Sequence, residues 1–233
     1  MKPNENEEKT AADRNEEFEA RLKGRTPEQK KVIRYFLKPD GFLSFKISDY
    51  EYDELVVNKY LELDLYKKAL DKIGKDESEV NEIKAIVFKD WHYEKGNDKI
   101  RVKKGKDGKL RSSAYQVSWL FFSDTQIYTY KYTFHMDSNN TSETTQEYFW
   151  QDITNFTTST ESVETERKDS IKFLFRRPEL IFRRNIDTYH VFRLIVPGDE
   201  FKCTLENDEI SEKKIKAMKF KLREKKEQFF NKN

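Results

Sequence analysis

The chain holds one cysteine, Cys203, among 233 residues, with only 7 glycines and 5 prolines. A single thiol excludes an internal disulfide framework and any multi-cysteine zinc site, and it fits a reducing compartment. None of the glycines is spaced as a phosphate-cradling loop or a dinucleotide fingerprint, so nucleotide-dependent chemistry has no motif to rest on. No stretch approaches the roughly 18–20 apolar residues of a membrane-spanning helix. The opening MKPNENEEKTAADRNEEFEA also lacks the apolar run of a signal peptide. A cytoplasmic location is the expectation. Charge of one sign is missing as well: 45 Lys+Arg stand against 43 Asp+Glu, a formal net charge of +2. Without a chain-wide basic field, nucleic acid is not an expected partner.

What is present is aromatic and blocky. The chain carries 18 Phe, 12 Tyr and 3 Trp, enough to expect a real core despite 38% charged residues. Net charge runs −3 over residues 1–84, +5 over 85–112, −6 over 113–164, +1 over 165–208 and +5 over 209–233. Residues 1–25 are polar and Glu-rich and are read as a disordered acidic arm. Thr26-Pro27-Glu28-Gln29 then forms a capping-box signature, and Val32, Ile33, Phe36 and Leu37 continue it as a helix. The turn Pro39-Asp40-Gly41 ends that helix. A second, long helix is expected from Ser48 or Asp49 to Ile73 with Gly74 as its cap, since Tyr52, Val56, Tyr60, Leu63, Tyr66 and Leu70 recur at helical spacing. One or two helical turns are expected over residues 76–82.

From about Ala85 to Leu205 the period changes to two, and six to eight strands are expected. The first is Ala85 to Glu94, and a loop from Lys95 to Lys109 follows with Asp107-Gly108 as its turn. Arg111 to Phe122 and Gln126 to Met136 come next. In the latter Tyr128, Tyr130, Tyr132 and Phe134 share one face, and Thr129, Lys131, Thr133 and His135 share a face read as wet. Thr144 to Ile153, Phe156 to Thr165, Ile171 to Phe175, Leu180 to Arg184, Thr188 to Val196 and Glu200 to Leu205 complete the run. A C-terminal helix with an apolar seam at Ile215, Met218 and Leu222 ends the chain, the last residues 227–233 being a tail. The class is α+β: a helical segment over 26–84, then over 85–226 an antiparallel β-barrel capped by that helix.

The stretches Ala69–Gly74, Ser112–Ser123, Glu147–Phe156, Val196–Asp199 and Met218–Lys225 are patches spread over roughly residues 50–226. Together they resemble an uncharacterised bacterial family associated with a pleckstrin-homology-like (PH-like) barrel. The resemblance implies a fold and no established activity.

Candidate functional residues are few. Lys95, Lys99, Arg101, Lys103, Lys104, Lys106, Lys109 and Arg111 cluster between the first two strands, where a PH-like resemblance puts a ligand loop for anionic headgroups. Each cation near an anionic surface contributes about 1 kcal/mol. Asp98 and Asp107 dilute the cluster, and a solvated hairpin is the plainer reading. Arg176-Arg177 and Arg183-Arg184 flank Pro178-Glu179-Leu180 as two further basic pairs. Val57, Leu61 and Leu65 lie off the main stripe of the second helix and would mark a partner surface if exposed. His92, His135 and His190 show no metal-ligand spacing, so no metal and no cofactor are expected. Cys203 alternates with Phe201 and Leu205, as a small buried thiol does. Glu143, Glu147 and Asp152 lack a nucleophile partner, and no catalytic residue is assigned. The sequence therefore points to a non-catalytic binding module, an adaptor or scaffold that contacts a protein through the barrel and the N-terminal helices. The alternative is a peripheral membrane module that binds anionic lipid headgroups through residues 95–111. Oligomeric state is left open by the sequence.

Overall fold

The computed structural model describes residues 18–37, 46–76, 85–93, 100–174, 177–205 and 209–232, the description over 164–185 and at a few positions of the last helix being confined to the backbone. Its elements are α1 (Pro27–Leu37), α2 (Asp49–Glu62), α3 (Leu65–Ile73), β1 (Ile86–Trp91), β2 (Val102–Lys104), β3 (Leu110–Ser112), β4 (Ala114–Phe122), β5 (Gln126–His135), β6 (Thr141–Phe149), a 3-10 turn (Trp150–Asp152), β7 (Asn155–Leu174), β8 (Arg177–Val196), β9 (Asp199–Leu205) and α4 (Glu209–Lys232). The α+β class read from the sequence is what the fold shows. The turns expected over residues 76–82 lie almost wholly outside the described residues.

The helix starts follow local chemistry. The Thr26 hydroxyl accepts from the Gln29 N–H at 3.2 Å and the Gln29 side chain accepts from the Thr26 N–H at 3.1 Å, so the capping box forms as the sequence indicates. A second box opens α2, where Ser48 and Glu51 exchange the same pair of bonds. The long helix expected to run to Ile73 is broken instead. Asp64 sits in the left-handed region at φ 43°, which ends α2 and starts α3 on a new axis. The break lets Tyr52 of α2 and Leu65, Ala69, Leu70 and Ile73 of α3 all reach one buried cluster. Gly74, at φ 66°, closes α3 as expected, its N–H reaching the Leu70 and Asp71 carbonyls. Residues 18–22, inside the stretch read as an arm, form a helical turn whose Leu22 is buried.

The strands pair antiparallel in three sheets: β1-β4-β5-β6, the β2-β3 hairpin, and β7-β8-β9. No closed barrel is found among them; β1 runs beside β9 without ladder pairing between the two. The four-stranded sheet is the middle layer. On one face Val117, Phe121, Tyr130, Tyr132 and Phe134 meet the N-terminal helices, in a cluster with Val32, Tyr35, Tyr52 and Leu70. On the other, Phe88, Leu120, Phe122 and Ile127 meet Phe192, Leu194 and Phe201 of the three-stranded sheet. Met218 and Leu222 of α4 enter the same cluster, as the apolar seam of that helix requires.

This layering corrects one expectation. The face of β5 read as wet is covered: Thr129 and Thr133 are buried, and the Lys131 ammonium lies 5.0 Å from the Phe201 ring centroid. Strand periodicity reports two different faces, not which of them meets water, and the second sheet covers the polar one. Burial lowers the Lys131 pKa and raises that of Cys203, which is buried beside it. The short strands expected between residues 156 and 196 also merge, into two strands of 20 residues each. Their ladder runs from Asn155↔Ile195 to Leu174↔Arg177 with an irregularity between Lys168 and Ser170, while β9 pairs only with His190–Val196. Residues 161–174 and 177–189 therefore form a two-stranded ribbon that extends beyond β9. Val163 and Tyr189 at its near end pack with Trp91 and Val102, and the antiparallel ladder continues outward from there.

Candidate functional site

The β2-β3 hairpin is held to the start of α2 by one guanidinium. Arg111 is 3% exposed. Its Nε and Nη2 donate to the two carboxylate oxygens of Asp53, each at 2.7 Å, and its Nη1 and Nη2 donate to those of Asp107, each at 2.8 Å. Such a doubly bidentate arrangement uses the planar fork that lysine lacks. Asp49 completes the cluster, accepting from the Tyr35 hydroxyl at 2.6 Å and from the Lys106 N–H at 2.7 Å. Tyr35 stacks on Tyr52 at 4.4 Å with the rings 8° apart, and the Lys103 ammonium lies 4.0 Å from the Tyr35 centroid. The buried Tyr52 hydroxyl donates to the Ser112 carbonyl at 2.5 Å.

The electrostatics follow from the geometry. Hydrogen bonds from Arg111 hold the Asp107 carboxyl well below the usual carboxylate range, and Asp107 with Asp53 pushes the Arg111 pKa up. Burial alone would raise Asp49, but the Tyr35 hydroxyl, the Lys106 N–H and the Arg111 and Lys103 charges together lower it. Both carboxylates have folded pKa values below their unfolded ones, so their contribution to stability is present above about pH 4 and is lost as pH falls through the folded values. We expect the stability that docking contributes to decline progressively below about pH 4, with the hairpin released only as pH falls through the lower folded values. Denaturant stability should therefore fall more steeply between about pH 4 and pH 2 in the wild type than in Arg111→Met; equal declines in the two would refute this.

Most of the cationic cluster read from the sequence is thus placed. Lys104 pairs with Asp187 at 2.6 Å, Lys103 lies on Tyr35, and Arg111 is internally neutralised. The Lys106 and Lys109 side chains are exposed on either side of the Asp107-Gly108 turn. Arg101 lies apart from these, at a cavity it shares with Arg21 and Arg25. Lys95 and Lys99 lie outside the described residues, as does Arg176, and of Arg177, Arg183 and Arg184 the backbone alone is described.

The surface suggested on α2 divides. Val57 is 54% and Leu61 67% exposed, whereas Leu65 is 2% exposed and packs into the helix–sheet core, because the Asp64 break turns α3 inward. Tyr50, which the sequence reading passed over, is 71% exposed. Positions 50, 57 and 61 fall on one side of a helix, since seven residues make two turns and four make roughly one. The signal was legible: three large apolar residues at this spacing, out of phase with the Tyr52–Val56–Tyr60 stripe.

Among the described residues no group of three or more His, Cys, Asp or Glu side chains is placed to hold a metal ion. His92, His135 and His190 are partly buried on three separate strands or strand ends. Among the described residues no helix is long and apolar enough to cross a membrane. Comparison with protein-family models, with curated proteins and with solved structures finds no match.

Proposed function

We propose that this chain is a non-catalytic binding module that docks a protein partner on the outer face of α2. The observation that carries this reading is the row Tyr50, Val57 and Leu61, large apolar side chains left half to three-quarters exposed on a helix whose other side packs on the core through buried Tyr52 and partly buried Leu55, Val56 and Tyr60. An unpartnered apolar stripe on a well-anchored helix suits a partner helix presenting its own apolar face, read by side chains at successive turns. The network at Asp49, Asp53 and Arg111 makes the stripe rigid, and rigidity lowers the entropy cost of docking.

The test compares the wild-type chain with Leu61→Glu and Val57→Glu in quantitative affinity capture from lysate, with circular dichroism and melting on the same samples. Both variants should fold and melt like the wild type, because exposed positions tolerate a charge. The partner set should lose a shared subset of proteins. An unchanged partner set would refute the α2 reading.

The PH-like arrangement belongs to this proposal too. A four-stranded sheet facing a three-stranded one, with a C-terminal helix packed on the 3-10 turn and β1 and adding Met218 and Leu222 to their shared core, supports it. The second functional reading is contact with an anionic lipid surface through residues 95–111, and the exposure of Lys106 and Lys109 at the hairpin turn favours it. Sedimentation with anionic vesicles that Lys106→Glu/Lys109→Glu abolishes, and that salt weakens, would establish that reading.

A further inference from the structure

A cavity of about 40 Å³ opens where the 18–25 segment, α1 and the turn after β5 meet, lined by Arg21, Arg25, Arg101 and Asp137. Its remaining wall is apolar, from Ile33, Phe36 and Leu37 of α1. By the same measure a single water needs roughly 10–15 Å³, so the space is about three waters' worth, the scale of one small oxyanion. The Arg101 and Arg25 guanidiniums keep their charge at any working pH, so these two alone outweigh Asp137 even when it is ionised. Asp137 is a weak counter-ion: burial raises its pKa although His135, Arg25 and Arg21 favour its charged form. The Arg101 Nε–H is buried with no hydrogen-bond partner among the described residues. A buried donor left unpaired is costly and marks a place where a partner is missing.

We propose that this cavity is an oxyanion site, in which Arg101, Arg25 and Arg21 receive a phosphate- or carboxylate-type group. Guanidinium forks match such planar or tetrahedral oxygens in pairs, and the apolar wall strengthens each charged contact by excluding water. Arg101 donates its orphaned Nε–H, Arg25 comes from the residue before the α1 cap, and Arg21 comes from the preceding helical turn. The site brings together three segments far apart in sequence, so an occupied cavity also ties the N-terminal turn to the sheet. None of its residues belongs to the α2 stripe, and the two proposals stand or fall separately.

The test titrates inorganic phosphate, and acetate in parallel, into the full-length chain by calorimetry at constant ionic strength. We expect saturable binding of at least one of them that Arg101→Met weakens about tenfold or more, the loss of one charge-assisted pair. Asp137→Asn should instead tighten it, because a competing carboxylate is removed. Should Arg101→Met fail to fold, Arg25→Gln carries the same readout from a half-buried position. Vesicles containing phosphatidic acid separate the sources: pelleting that free phosphate competes away, and that the arginine variant loses, assigns a lipid headgroup. Free-anion binding without pelleting assigns a soluble ligand. No saturable binding of either anion, or binding indifferent to the arginine variants, would show that Asp137 and water complete the cavity and would overturn the proposal.

Discussion

Trp150→Ala should lower the melting temperature by roughly 10 °C, from a loss of about 3–5 kcal/mol. Trp150 is 1% exposed, the largest fully buried side chain among the described residues. It stacks on Phe122 with centroids 6.2 Å apart and rings 12° from parallel, and its indole N–H donates to the Ser123 carbonyl at 3.1 Å. The 3-10 turn it begins is the link from the four-stranded sheet to the three-stranded one, and α4 packs on that turn. Removing the ring opens a cavity bordered by both sheets and by Met218 and Leu222, none of which can collapse without moving the other layers. Trp150→Phe should recover much of the loss, keeping a stacked ring and giving up the indole bond. A melting temperature within about 2 °C of wild type for the alanine variant would show that the layers are not packed through this residue.

Gly105→Ala is expected to undock the β2-β3 hairpin and cost about 1–3 kcal/mol, a large effect for one added methyl group. A Cβ at position 105 would meet Arg111 Nη1 at 2.2 Å, and Asp107 Oδ1 and Asp49 Oδ2 at 2.7 Å. These are ends of side chains, which ordinarily step aside, but all three are fixed by the network around Arg111. The methyl group therefore costs whatever the network was contributing. That makes the effect testable by a double-mutant cycle. Arg111→Met alone should destabilise the chain, and Gly105→Ala should cost less in that background, because its closest clash is gone. Equal costs of Gly105→Ala with and without Arg111 would place the strain elsewhere in the hairpin.

How much of this was legible beforehand depended on the range of the interaction. The Thr26 and Ser48 starts, the Gly74 cap, the turns at Gly108 and Gly198 and the α4 seam were all readable, since each rests on residues within a few positions of one another. The Asp64 break was not, because Leu63-Asp64-Leu65 carries no breaker and only the pull of the sheet on Leu65 and Leu70 favours a left-handed aspartate. The covered face of β5 was not either, since Thr129, Lys131 and Thr133 look solvated until β8 and β9 are laid over them. In the candidate sites, the exposure of Val57 and Leu61 could be suspected, while the burial of Leu65 four residues on could not.

The amino-acid sequence by itself determined that the protein has a helical beginning, a β-rich middle and an amphipathic final helix, because caps, turns and periodicity act over one or two turns of chain. It determined equally that no cysteine framework or nucleotide loop is present. Which cations are free was decided only by the tertiary structure: Arg111 is neutralised by Asp53, 58 residues away, and Lys104 by Asp187, 83 residues away. The same holds for the cavity that gathers Arg21, Arg25 and Arg101. Charges interact through space, and their sequence separation carries no trace of the partner until the chain has folded.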